Sequence, residues 1–222
     1  MKLTDHIKNK ITLLDGGMGT LLQARGLRAP ETPEEWNITH PEIIREIHTA
    51  YFDAGSNIVA TNTFGANILK MDEETLEITV RAAIENANAA KKASKSQSDK
   101  WIALDIGPSG RMLAPLGELG FEEAVEAFAK TVRLGVKYGV DLILIETMSD
   151  CYETKAALLA AKENSDLPVF VSNVYGEDGK LLTGASPAAI VAMLEGMGAD
   201  AIGVNCSLGP KALSPVVLEY LK

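Results

Sequence analysis

At 222 residues the chain has room for one large domain or two small ones; apolar residues at 46% supply a sizeable core, with aromatics at 5% leaving Ala, Ile, Leu and Val to fill it. The balance of 30 acidic against 21 basic residues, a net charge of −9, argues against nucleic acid as a partner, since phosphate binding needs clustered Lys and Arg. Two cysteines make no disulfide framework, no run reaches the ~20 apolar residues of a membrane helix, and residues 1–17 lack the apolar stretch of a secretory signal; a soluble, reduced, cytoplasmic protein handling small molecules is the expectation.

Short runs rich in β-branched residues predict buried strands, in chain order, at 11–16 (ITLLDG), 57–62 (NIVATN), 101–107 (WIALDIG), 141–147 (DLILIET), 168–174 (PVFVSNV) and 200–206 (DAIGVNC). Between them lie segments with helical spacing. In 41–55, Ile43, Ile44, Ile47, Ala50, Tyr51 and Ala54 share a face, Pro41 suits the first turn and Gly55 the stop. Residues 121–139 repeat that design, residues 186–198 open with Ser186 as N-cap before Pro187, and a last helix is expected over 215–222. Three joints, AGSN (54–57), YGVD (138–141) and MGAD (197–200), place a glycine between helix end and strand start, where a left-handed cap costs glycine nothing. The polar stretch 91–100 reads as a flexible surface connection. No domain boundary interrupts the βα rhythm.

Polar residues collect at the strand ends: Asp15; Thr61, Asn62 and Thr63; Asp105; Glu146; Asn173; Asn205 and Cys206. A (β/α)8 barrel builds its site on that rim from many strands, whereas a doubly wound sheet uses a few strands at a switch point. Polar residues at all 6 ends, and no G-x-G-x-x-G after a strand, favour the barrel, incomplete with about six βα units and ending before a seventh strand.

A lone cysteine is usually a small buried hydrophobe, but Cys206 ends a strand, follows Asn205 and precedes the loop SLGP, a place that suits a thiolate ligand or nucleophile. A metal needs more ligands than the sequence groups with it: there is no C-x2-C and no H-x3-H, and His40 and His48 belong to an amphipathic segment. Asp15 and Glu146 each follow an apolar run and suit an ammonium, though Asp15, in DGG, equally suits a turn. The glycines of DGGMGT, Gly16 and Gly17 among them, offer a backbone nest for a carboxylate or phosphate. Asp105 is equally a turn-capping residue, and Cys151, at a helix start after Asp150, reads as structural.

Together LLDGGMGT, ATNTFGAN, DIGPSG, LILIETMSD, LTGASP and GVNCSLGP resemble the homocysteine S-methyltransferase family, over essentially the whole chain and in order, with the nearer likeness to the homocysteine-binding domain of cobalamin-dependent methionine synthase. The resemblance implies a (β/α)8 barrel over 1–222, homocysteine as substrate, and a zinc ion held by three cysteines, of which Cys206 matches one. It implies amino-group contacts at Asp15 and Glu146 and carboxylate contacts near Gly16, Gly17 and Thr61, with Asn205, beside the metal motif, as a further substrate-binding residue. Zinc turns a thiol of pKa about 8.5 into a thiolate and leaves a position open for substrate sulfur. The methyl donor implied is methylcobalamin on a separate cobalamin-binding module. Gly65 and Thr147 stand where the betaine-using branch carries tyrosines, which argues against betaine. The family's adjacent cysteine pair has no match here, so a missing C-terminal segment or a second polypeptide is expected to supply it, and the chain alone is expected to be inactive. The alternative is a non-catalytic homocysteine-binding or scaffold subunit without the metal.

Overall fold

The computed structural model describes residues 3–222. Its elements in chain order are α1 (Leu3–Asn9), α2 (Met18–Ala24), a 3-10 turn (Pro33–Glu35), α3 (Trp36–Thr39), α4 (Pro41–Ala54), β1 (Ile58–Ala60), α5 (Glu73–Ala93), β2 (Trp101–Ile106), α6 (Phe121–Tyr138), β3 (Leu142–Met148), α7 (Cys151–Asn164), β4 (Val169–Asn173), α8 (Pro187–Gly196), β5 (Ala201–Val204) and α9 (Pro210–Tyr220). The strands form one parallel sheet in the order β1-β2-β3-β4-β5, each pairing with the next in sequence. A doubly wound sheet reverses its order at a switch point; this one never does, so the winding runs one way, as in a barrel wall. Among the described residues the sheet stays open, with no ladder from β5 back to the first segment.

That first segment departs from expectation. Residues 11–16 run beside β1 but pair through a single bridge, Leu14 with Ile58, fixed by Asp15 N–H to the Ile58 carbonyl at 2.9 Å and Asn57 N–H to the Leu13 carbonyl at 2.7 Å. Ile11 and Leu13 are 88% and 52% exposed. The segment touches β1 at this one bridge and has no strand on its other side among the described residues, so its apolar side chains stay open to solvent. The result is five strands and a bridge in place of six strands.

Side chains alternate across the sheet with a period of two. One face sends Ile58, Trp101, Ala103, Leu142, Leu144 and Phe170 into a cluster that Leu3 and Ile7 of α1 cover. The other sends Val59, Ile102, Leu104, Ile143, Ile145, Val169 and Val171 against the helices, where the larger core sits. The three joint glycines take the left-handed conformation: Gly55 at φ 111°, Gly139 at 85° and Gly198 at 78°.

Two helix boundaries differ from the sequence reading. α5 is absent from the expectations, and it absorbs residues 91–93 of the polar stretch. Beyond it the chain is tied down: the Asp53 carboxylate accepts from Ser94 Oγ at 2.7 Å and from Lys95 N–H at 2.8 Å. α9 begins at Pro210 rather than 215, because Gly209 serves as N-cap and its carbonyl accepts from Ala212 and Leu213; Pro215 then falls inside the helix. No helix among the described residues is long and apolar enough to cross a membrane.

Candidate functional site

The period of two decides which strand-end residues face the concave side. Continuing the inward rows past Trp101 and Ala103 gives Asp105; past Leu142 and Leu144 gives Glu146; past Ala201 and Gly203 gives Asn205. All three line one cavity of about 360 Å³ at the C-terminal end of the sheet, together with Asp15, Gly16, Gly17, Thr61 and Cys206. The structure therefore brings Asp15, Gly16, Gly17, Thr61, Glu146, Asn205 and Cys206 to one place, whereas Thr63 and Asn173 of the strand-end set do not line the cavity.

The carboxyls are crowded and dry. Asp15 accepts from Ala60 N–H at 2.9 Å through Oδ2. Burial, opposed by that hydrogen bond and reinforced by the charge of Glu146, pushes its pKa up to about 7. Burial also raises Glu146. Asp105 is raised well above the usual carboxylate range, by burial first and then by the charges of Glu146, Asp15 and Glu34. Glu34 was not among the expected site residues. It comes from the 3-10 turn, lines the same cavity, and accepts from Gly65 N–H at 2.6 Å. A Cβ on Gly65 would lie 2.7 Å from Glu34 Oε1, so the carboxylate occupies the space a side chain there would need.

Thr61, Gly16 and Gly17 line the same cavity. Thr61 Oγ1 accepts from Asp105 N–H at 3.1 Å, Thr63 Oγ1 donates to the Asp105 carbonyl at 2.7 Å, and the two hydroxyls are 2.7 Å apart. Thr63's proton is committed to that carbonyl, so Thr61 donates to Thr63. The ring closes, and Thr61 has no donor left for a ligand. Nor do Gly16 and Gly17 form a nest, which needs a left-handed residue: neither has positive φ, and Gly17 sits at φ −60° as N-cap of α2. No side chain caps α2, so its first-turn N–H groups are the donors on that side. Gly16 is small for a packing reason, since a Cβ there would lie 2.9 Å from Tyr51 Oη.

Cys206 is exposed and faces this cavity. Its neighbour Asn205 fastens two strand ends together. Asn205 Oδ1 accepts from Thr147 N–H at 3.2 Å and Ser172 Oγ at 3.0 Å; its Nδ2 donates to Thr147 Oγ1 at 2.8 Å and Glu146 Oε2 at 3.2 Å, and lies 3.5 Å from Cys206 Sγ. Thr147, Cys206 and Ser207 all take positive φ, at 63°, 56° and 56°. For a β-branched threonine that is a strained conformation, and it coincides with the break in β3–β4 register between Ile145 and Met148. Cys151 is half-buried instead, with Sγ 3.6 Å from Met193 Sδ. It opens α7 behind Asp150, whose side chain accepts from Glu153 N–H at 2.7 Å. Among the described residues, no group of three or more His, Cys, Asp or Glu could hold a metal ion.

The one-way βα sheet gathers carboxyls and a thiol at its strand ends. The family model for homocysteine S-methyltransferase matches residues 12–222, and the chain belongs to that family. It is 29% identical over 230 residues to a methionine synthase of Mycobacterium leprae (strain TN), covering 96% of this chain and 19% of that protein. A methionine synthase of Mycobacterium tuberculosis (strain ATCC 25618 / H37Rv) is likewise 29% identical, over 228 residues and 19% of its length. The chain thus spans about a fifth of the curated relatives it matches. The homocysteine methyltransferase MmuM of Escherichia coli shares the fold: its metallated form superposes with TM-score 0.79 at 24% identity, over 90% of this chain and 76% of that one. Its apo form gives 0.75 at 23%, over 93% and 76%.

Proposed function

We propose that this chain binds homocysteine as the methyl-accepting unit of a methionine-forming methyltransferase. The observation that carries the reading is the single cavity onto which Asp15, Glu146, Asn205 and Cys206 converge. An amino-acid zwitterion fits its polarity. The ammonium goes to Asp15 and Glu146, and the carboxylate to the side of the cavity lined by Gly16 and Gly17. The side-chain sulfur then points to the rim beside Cys206. Asn205 holds Glu146 and the Cys206 loop in place, and Thr61 stiffens the floor through its ring with Thr63 and Asp105. Transfer requires the homocysteine thiol to lose its proton; the sulfur then bonds to the methyl carbon as the bond from methyl to donor breaks, its electron pair leaving with the donor. Methylcobalamin on a separate module is the donor in this reading, for which the other four-fifths of the relatives' length leaves room.

A catalytic zinc takes three protein ligands and keeps one position for substrate. The described residues bring one thiol to the cavity, so the donor set does not fit a zinc held by this chain alone, and no step is routed through one. In this reading Cys206 is one sulfur ligand whose partners come from elsewhere, and the isolated chain binds homocysteine without methylating it. The lone thiol also favours a second reading, a homocysteine-binding unit that never held the metal; binding unaffected by added zinc supports it.

The test is a ligand-observed NMR titration with homocysteine. The chain binds it, and Asp15→Asn and Glu146→Gln each weaken binding about tenfold, or ~1.4 kcal/mol. Affinity indifferent to both substitutions refutes the reading, and methionine formed by the isolated chain from methylcobalamin refutes its inactivity.

A further inference from the structure

Asp105 does no structural work with its side chain. Its backbone makes the turn contacts expected of a capping residue: the N–H donates to Thr61 Oγ1 and the carbonyl accepts from Thr63 Oγ1. The side chain is 6% exposed, and its Oδ1 has no hydrogen-bond partner. The other three carboxyls of the cavity each accept from an N–H, Asp15 from Ala60, Glu34 from Gly65 and Glu146 from Asn205. In register Asp105 lies level with Leu144, one inward step below Glu146, so it forms part of the cavity floor. A buried polar atom without a partner is costly unless something that binds there supplies one.

The chemistry of that something is narrow. The titratable groups facing Asp105 are Glu146, Asp15 and Glu34, all acidic. Among the described residues that line the cavity there is no Lys, Arg or His, and the remaining titratable group is the Cys206 thiol. An anion is repelled, and a neutral donor leaves the carboxyls uncompensated. A primary ammonium brings one positive charge and three N–H donors. We propose that Asp105 is the third arm of an ammonium cage, with Asp15, Glu146 and Asp105 each accepting one N–H from the α-amino group of the ligand. This rests on the homocysteine reading for the ligand's identity and adds a contact to it.

The experiment compares two ligands that differ by the amino group, homocysteine and 4-mercaptobutanoate, on the full chain and on Asp105→Asn by ligand-observed NMR titration. Asp105→Asn weakens homocysteine about tenfold and leaves 4-mercaptobutanoate unweakened or bound more tightly, because the first ligand alone presents an ammonium and the second, an anion, is repelled by the Asp105 charge. Asp105→Ser repeats the comparison with a smaller neutral side chain. Equal weakening of both ligands makes Asp105 structural and overturns the cage, as does no weakening of either. A wild-type chain that binds no homocysteine overturns the functional reading and the cage together; wild-type binding with both variants unchanged overturns the cage alone.

Discussion

Asn205→Ala tests whether one amide fastens the rim. The side chain makes four hydrogen bonds, two of them firm: Nδ2 to Thr147 Oγ1 at 2.8 Å and Ser172 Oγ to Oδ1 at 3.0 Å. The contacts to Thr147 N–H and Glu146 Oε2 are longer, at 3.2 Å. The site is part-buried, so water takes over some of the loss, and a net value of ~1 kcal/mol for each firm bond is appropriate. Thr147 adds to this, because its left-handed φ of 63° persists only while its surroundings hold it. The expected cost is about 2 kcal/mol, a drop in Tm of about 4–8 °C for a domain of this size. Urea unfolding followed by circular dichroism measures it, provided the m-value is unchanged. Thr147→Gly supplies the internal check: it removes both the strained side chain and the partner of the shortest bond, so Asn205→Ala costs about 1 kcal/mol in that background. A cost below about 0.5 kcal/mol in wild type, or one identical in both backgrounds, refutes the clamp.

His48 lies wholly buried in α4 with neither ring nitrogen hydrogen-bonded, and burial lowers its pKa to about 4. Its unfolded value is about 6.5, so the unfolded chain takes up the proton first; stability is intact above pH ~6.5 and falls towards pH 4, by up to ~3 kcal/mol. Because the raised carboxyls Asp15, Asp105 and Glu146 gain stability over the same range, the difference in urea midpoint between wild type and His48→Leu at pH 7, 6, 5 and 4 traces this loss; a difference that does not change with pH would exclude His48 as the cause. Asp15, with its pKa near 7, gives ligand binding a pH dependence of the same sign. A cationic group binds the ionised carboxylate, so homocysteine affinity rises with pH through ~7 and then levels off; titrations between pH 6 and 8 show the rise, and Asp15→Asn flattens it.

How far the site was legible depends on parity. In WIALDI and LILIETM the apolar rows fix which residues face inward, and Asp105 and Glu146 are the next positions of those rows. Thr61 has the parity of Val59, which faces the helices; its hydroxyl accordingly turns into the ring with Thr63 instead of a ligand. Glu34 carries no such cue. It reaches the cavity because the turn from Pro33 docks on the loop after β1, where Asn62 Nδ2 donates to the Pro33 carbonyl at 2.6 Å, a contact between residues 29 apart. α5 escapes notice for a different reason. Its buried face contains Thr79 and Asn86, which break the apolar pattern. Asn86 is tolerated there because Asn37 O accepts from its amide at 2.9 Å and Arg45 Nε donates to it at 2.8 Å. Residues 11–16 mislead in the other direction: their composition is that of a buried strand, but burial depends on a neighbour that composition cannot supply.

The same geometry divides labour within the cavity. Charge is concentrated on the floor and walls, where burial raises both Asp105 and Asp15 and the charge of Glu146 adds to each. Strain is concentrated at the rim, where Thr147, Cys206 and Ser207 take left-handed φ. A ligand with an ammonium at one end and a thiol at the other relieves the first by supplying the missing cation and meets the second with its sulfur. An amine without the thiol answers only the floor, and a thiol without the amine answers only the rim. Under the homocysteine reading, tighter binding of a bifunctional amino acid than of either fragment is the expected outcome of placing the two demands at opposite ends of one cavity.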